Sequence, residues 1–204
     1  FILHCYGSHF SYHQRYPRRF ARYLPDDDVA ISEQNIERIR NAYDNSVLYT
    51  DHFLAETIGY LRSLDGVCSA LLYCADHGED LLDDERRRFL HASPTTTAYQ
   101  LHVAALAWVS EAYRQRFPAQ AEAACRNSDA PATTHALFHT MAGMASIRGN
   151  HISREASLVD TLYDRRAPRR YLNDHNEAVP HWHTGLDSRD SAVFARSGVR
   201  LERP

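Results

Sequence analysis

Asp76-His77-Gly78-Glu79 follows directly on the apolar run Ala70-Leu71-Leu72-Tyr73-Cys74, placing a carboxylate and an imidazole at the carboxyl end of an expected strand. In α/β sheets that end carries the ligand site, because the loops there leave a crevice over the sheet edge. Neighbouring side chains on a strand point to opposite faces. Asp76 and His77 therefore reach one ion only where the strand gives way to a turn, which Gly78 is expected to supply. One oxygen and one imidazole nitrogen suit zinc, which holds such donors at ~2.0–2.2 Å. His4 ends the apolar run Phe1-Ile2-Leu3 in the same way, and His91 sits in Phe89-Leu90-His91. Three segments thus offer ligands to one crevice, although a histidine taken singly at a strand end is more often a hydrogen-bonded structural residue than a ligand.

Around these groups stand candidates for support. Glu79 is placed to contact a ligand's amine, to hold His77 from behind by a hydrogen bond, or to cap the next turn. His9 and Arg15 are candidates to meet phosphate, the arginine also reading as a packed stem with a solvated head. Asp174-His175-Asn176-Glu177 echoes the metal motif without its glycine and reads as a structural loop. His181, Trp182 and His183 read as part of a surface tail.

Composition narrows the chemistry. All 23 basic residues of the 204 are arginine, so no lysine is present for a P-loop, for a kinase strand or for a pyridoxal Schiff base. Glycine is only 8 of 204, which leaves no Gly-rich nucleotide cradle, whereas 13 histidines favour metal or phosphate chemistry. A net charge of −3 gives no basic field for nucleic acid, and the arginine clusters at 86–88 and 165–170 read as solvated faces. No apolar run approaches the ~20 residues of a membrane helix. The four cysteines follow no CxxC spacing and are expected to be buried free thiols.

The elements that must position these residues alternate between short apolar strands and longer helical stretches, the pattern of an α/β domain with a mostly parallel central sheet flanked by helices. Strands are expected at Phe1–Tyr6, Ala70–Cys74, Val103–Val109 and Arg170–Asn173. Ser32 is a candidate N-cap. Ile36, Ile39, Tyr43, Val47, Leu54, Ile58 and Leu61 outline the apolar face of a helix ended by Asp65-Gly66. Further helices are expected at Glu111–Phe117, stopped by Pro118, at Ala119–Arg126 and at His135–Ile147, with Asn45 and Asp51 of the long helix bonding neighbouring loops. Residues 1–180 are then expected to form one portion of a domain, incomplete at its N-terminus because the chain opens inside an expected strand, and 181–204 an irregular tail.

The combination of motifs is specific. His4-Cys5-Tyr6-Gly7-Ser8-His9, Arg15-Tyr16-Pro17, Asn41 to Ser46, Tyr49-Thr50-Asp51, Asp76-His77-Gly78-Glu79 and Leu90-His91 occur in the order found in bacterial phosphoethanolamine transferases. The chain resembles the C-terminal part of their periplasmic catalytic domain, in the alkaline phosphatase and sulfatase superfamily. The resemblance implies an alkaline-phosphatase-like sandwich in which Asp76 and His77 bind the catalytic zinc, and His4 and His91 bind phosphate or a second zinc. It implies transfer of phosphoethanolamine from phosphatidylethanolamine to lipid A or another envelope glycan, through a threonine nucleophile from a segment not in this chain. It also implies an inner-membrane enzyme whose catalytic domain faces the periplasm, with membrane contact through the missing N-terminal part. Gly-Ser-His-Gly-Pro is usual in the lipid A enzymes, and the shorter Gly7-Ser8-His9-Phe10-Ser11-Tyr12 leaves the acceptor open. A hydrolase of the superfamily, either sulfatase or phosphodiesterase, and a non-catalytic remnant are the alternatives.

Overall fold

The computed structural model describes residues 1–27, 30–91, 96–173, 175–180 and 186–199. It divides into two compact units, Phe1–Tyr60 with Glu79–Ser93, and Leu61–Gly78 with Pro94–Pro204.

The first unit is built on the long helix α1, Ile36–Arg62, whose last two residues fall in the second unit. Its buried face is Ile39, Ala42, Asn45 and Ser46. Val47, expected on that face, is exposed. At 100° per residue it lies about 80° round the helix from Ile39, whereas Ala42 and Ser46 continue the stripe at steps of three and four. Ser32 precedes a 3-10 turn, Glu33–Asn35, and makes no side-chain cap bond. The helix ends at Arg62, a little before the Asp65-Gly66 stop expected from sequence, and Gly66 adopts φ +71° in the turn beyond it. Ile39 and Ala42 pack with Tyr12 and Leu81, bordered by Phe10, Tyr43, Phe89 and Leu90. The short strands β2, Asp80–Leu81, and β3, Phe89–Leu90, pair antiparallel beside this cluster.

Two polar clamps tie the segments of this unit to α1. Fully buried Asn45 accepts from the backbone N–H groups of Arg22 and Tyr23, both at 2.9 Å. It donates to the carbonyl of Tyr23 at 2.9 Å and to the Asp26 carboxylate at 3.0 Å. One amide thus pairs two N–H groups and one carbonyl of an irregular segment. The Tyr16 hydroxyl donates to the same Asp26 at 2.6 Å, and burial followed by that bond pushes its pKa up to about 12. Arg40 donates to the carbonyls of Leu81 and Leu82 at 3.2 and 3.0 Å, holding β2 on the helix.

The second unit contains β1, Ala70–Cys74, paired antiparallel with β4, Ala105–Val109, from Ala70 opposite Val109 to Cys74 opposite Ala105. A further antiparallel pair is β5, Arg170–Leu172, with β6, Ala178–Pro180. The helices are α2 (Ala98–Leu101), α3 (Glu111–Arg116), α4 (Pro118–Arg126), α5 (Ala136–Met144) and α6 (Ser188–Arg196). Pro118 does end the preceding helix, and it also opens α4 as its first residue, where its missing N–H is no loss.

The mixture of helix and strand is the one expected, but every strand pair among the described residues is antiparallel where the sequence suggested mostly parallel pairing. Apolar runs such as β1 and β4 read alike whichever way they pair. Residues 1–6 are exposed and irregular, with no strand paired to them among the described residues to supply a ladder. The cysteines are free, as expected, but Cys5, Cys68 and Cys125 are exposed and only Cys74 is partly buried, its thiol pushed up by that burial.

The region read as an irregular tail carries α6. Asp187 caps it by accepting from the helix backbone, and Asp190 reaches back to the Asp187 N–H at 3.0 Å. This is a capping box made with aspartate rather than the usual glutamate. Asp190 is fully buried and also accepts from the Ala98 N–H at 2.8 Å, while Val193 and Phe194 pack with Ala98. His181, Trp182, His183 and Asp174 lie outside the described residues. Asn173 closes the β5–β6 turn by accepting from the N–H groups of His175 and Glu177, consistent with the loop reading of that motif.

Candidate metal centre

Two histidine-bearing stretches meet in the first unit around one buried carboxylate. Glu79 has a side chain 4% exposed. Its Oε2 accepts from the Tyr12 hydroxyl at 2.9 Å, and its Oε1 lies 2.7 Å from Nδ1 of His91. Burial, and then the charge of Glu79, hold the Tyr12 phenol far above its ordinary pKa, so it stays a donor. Leu90, directly before His91, sits at φ +64° and Leu82 at φ +59°. The left-handed region costs a side chain of this kind about 1–2 kcal/mol, and at Leu90 it sets the direction in which the chain delivers His91.

The His9 ring lies 6.5 Å from that of His91, centroid to centroid and edge-on. Its own Nδ1 is 2.7 Å from the Phe10 carbonyl. Arg15 donates to the carbonyls of His9 and Phe10 at 2.7 and 3.0 Å and stacks over Tyr6, so its role in the structure is to shape the His9 loop.

In the second unit, His77 Nδ1 is 2.9 Å from the Gly78 carbonyl, and its Nε2 is 3.8 Å from Asp76 Oδ2. The His77 N–H donates to Asp76 Oδ1 at 3.0 Å. The two side chains therefore do turn toward one another, against the alternation of a continued strand. Gly78 does not adopt a positive φ to achieve this; its reason for being glycine is space. A Cβ there would lie 2.0 Å from the Tyr99 carbonyl oxygen, and its N–H donates to the Gln100 carbonyl at 2.8 Å.

These contacts fix tautomers. A carbonyl oxygen or a carboxylate only accepts, so neutral His9, His77 and His91 each carry their proton on Nδ1 and present Nε2 as the basic nitrogen. That is the arrangement in which metal-binding histidines are commonly held, with the other ring nitrogen bonded to a carbonyl or carboxylate. The spacing of Asp76 and His77 fits two of the ligands of a zinc ion. A tetrahedral ion with bonds of ~2.0–2.2 Å sets its donors about 3.4 Å apart, close to the 3.8 Å between His77 Nε2 and Asp76 Oδ2.

The residues expected from sequence are thus placed unequally. His91 and Glu79 are joined directly, and Asp76 and His77 are neighbours. His4 is exposed in an irregular segment, and it is His9 that stands against His91. Glu79 is bonded to Tyr12 and His91, a larger part than a turn cap. Tyr12 was missed altogether, its signal being no more than an aromatic between two polar residues.

Comparison with known proteins gives these features a context. The Sulfatase family pattern matches residues 1–147. Phosphoethanolamine transferase EptA of Salmonella typhimurium is 36% identical over 155 residues, covering 72% of this chain and 28% of its own. The Kdo(2)-lipid A phosphoethanolamine 7''-transferase of Escherichia coli strain K12 is 40% identical over 124 residues, covering 60% of this chain and 21% of its own. Among solved structures, the C-terminal periplasmic domain of EcEptC from Escherichia coli, in complex with Zn, superposes with a TM-score of 0.74 at 23% identity, covering 90% of this chain and 51% of that one. The chain spans less than a third of the length of these two curated relatives. The fold is that of an alkaline-phosphatase-like periplasmic domain, in part.

Proposed function

The chain belongs to the sulfatase family, and from that premise we propose that it is part of a zinc-dependent transferase moving phosphoethanolamine from phosphatidylethanolamine to lipid A or another envelope glycan. The observation that carries this reading is the set of three histidines, His9, His77 and His91, each with Nδ1 on an oxygen. They sit in a chain whose relatives are named as phosphoethanolamine transferases.

In this reading Asp76 and His77 bind zinc, and His91 binds phosphate or a second zinc, with Glu79 holding its ring. His9, whose ring stands against that of His91, joins it as a candidate for the phosphate or second-zinc role that the resemblance gives to His4 and His91; His4 remains a candidate through that resemblance. Zinc, when bound, lowers the pKa of an attacking hydroxyl and neutralises charge on the phosphoryl oxygens. The threonine that carries that hydroxyl would come from a segment outside these 204 residues. His91 is the chain's own group for the reacting phosphate: protonated, it donates to a phosphoryl oxygen or a leaving group. No helix among the described residues is long and apolar enough to cross a membrane. The inner-membrane anchor and the periplasmic orientation of the whole enzyme are part of the proposal, supported by the periplasmic origin of the matching solved domain.

The reading is tested by mass spectrometry of envelope glycolipids from cells with and without the full-length protein. The expected result is a new lipid A or core species heavier by one phosphoethanolamine group. Unchanged glycolipids together with cleavage of a phosphate or sulfate ester would instead favour a hydrolase.

A further inference from the structure

We propose that Tyr12 is a positioning residue for the metal-binding group, its phenol holding one oxygen of Glu79 so that the other is aimed at His91. The proposal rests on the zinc-transferase reading and deepens it. Tyr12 is 2% exposed, packed with Ile39, Ala42 and Leu81 and met edge-on by Tyr43 at 5.1 Å and Phe10 at 5.5 Å between centroids. A ring confined on these sides fixes its hydroxyl oxygen to the accuracy of the core itself. Glu79, by contrast, ends in a carboxylate whose last torsion is broad and roughly two-fold, so burial alone does not decide where each oxygen points. The Tyr12 bond to Oε2 removes that freedom, and Oε1 is left facing Nδ1 of His91 at 2.7 Å. The position of the His91 ring is thereby referred, through Glu79, to the hydrophobic core. Phe89, directly before Leu90-His91 in the chain, lies against the same tyrosine at 6.4 Å, so core and loop are tied at both ends. A tyrosine that merely covered a buried charge would serve stability alone; one that aims a carboxylate affects what the next residue binds.

The test uses the full-length enzyme with Tyr12→Phe, Glu79→Gln and the double variant. Zinc affinity is read by competition with a chelator, beside thermal melting and transfer rate. Tyr12→Phe keeps the ring in the core and is expected to melt cooperatively while zinc affinity falls about tenfold, the lower end of what losing a group behind a ligand costs. In the Glu79→Gln background it should cost less than in the wild type, because Tyr12 acts only through residue 79 and an amide oxygen accepts its hydroxyl more weakly than a carboxylate. Tyr43→Leu, which loosens the packing and keeps the phenol, should lower the melting temperature and leave zinc affinity near wild type. Unchanged affinity in Tyr12→Phe alongside a loss in Glu79→Gln would overturn the role of Tyr12 alone. So would additive losses in the double variant, or a Tyr43→Leu loss of affinity as large as that of Tyr12→Phe. Unchanged affinity in Glu79→Gln would overturn the role of Glu79 in the metal centre, and the proposal with it.

Discussion

Replacing His77 by alanine in the full-length enzyme is expected to abolish transfer and to lower zinc affinity by more than about 100-fold, the upper end of what even an indirect supporting group costs. In the proposed centre the imidazole is one of two donors in the Asp76-His77 pair, and the contact of its Nδ1 with the Gly78 carbonyl leaves Nε2 to bind. Alanine removes the nitrogen and leaves Asp76, whose side chain is 87% exposed and free to return to water. An exposed carboxylate alone is a weak zinc site, since zinc affinity comes from several oriented donors. Because His77 itself is about one-third exposed at its side chain, the fold should be little disturbed, and a melting temperature close to wild type is the control. Transfer and zinc binding retained in His77→Ala would show that the metal centre is elsewhere.

Gly78→Ala is expected to act by a different route and to destabilise the protein by more than about 3 kcal/mol, beyond the usual range for one added carbon. The new Cβ would stand 2.0 Å from the Tyr99 carbonyl oxygen and 3.1 Å from its carbonyl carbon. Those are backbone atoms of α2, which cannot swing aside as a side-chain end can. Relief requires moving the Asp76–Glu79 segment away from α2 and breaking the 2.8 Å bond from the Gly78 N–H to the Gln100 carbonyl. His77 and Glu79 are the chain neighbours of that residue, so transfer should fall together with stability. Urea unfolding and transfer rate measured on one preparation check both. Wild-type stability in Gly78→Ala would mean that the segment does not approach α2 this closely.

The glycine shows where sequence reasoning stops. Its presence after Asp-His was legible, and so was its importance, but the turn assigned to it was not what it supplies. A close approach between two backbones distant in sequence leaves no local mark. The same limit applies to Tyr12, whose partner Glu79 is 67 residues away. It applies equally to His4-Cys5-Tyr6-Gly7-Ser8-His9, since only the folded loop decides that the ring of His9 stands near His91. What did carry from sequence was local or periodic. The stripe of α1 came through from Ile39 to Tyr43, the strand at Ala70–Cys74 came through entire, and the loop-binding role of Asn45 followed from an amide at a helix position. Helix α6 escaped because its capping box is built from Asp187 and Asp190, and aspartate there reads as loop chemistry until the helix is seen. Strand direction escaped because apolar runs carry no sign of it.

The most direct test of the central claim is metal depletion of the purified full-length enzyme, with transfer to lipid A from labelled phosphatidylethanolamine measured before and after zinc is returned. Chelation is expected to remove both zinc and transfer and added zinc to restore them together, with no recovery in His77→Ala. Full transfer by enzyme shown to be free of metal would contradict that claim.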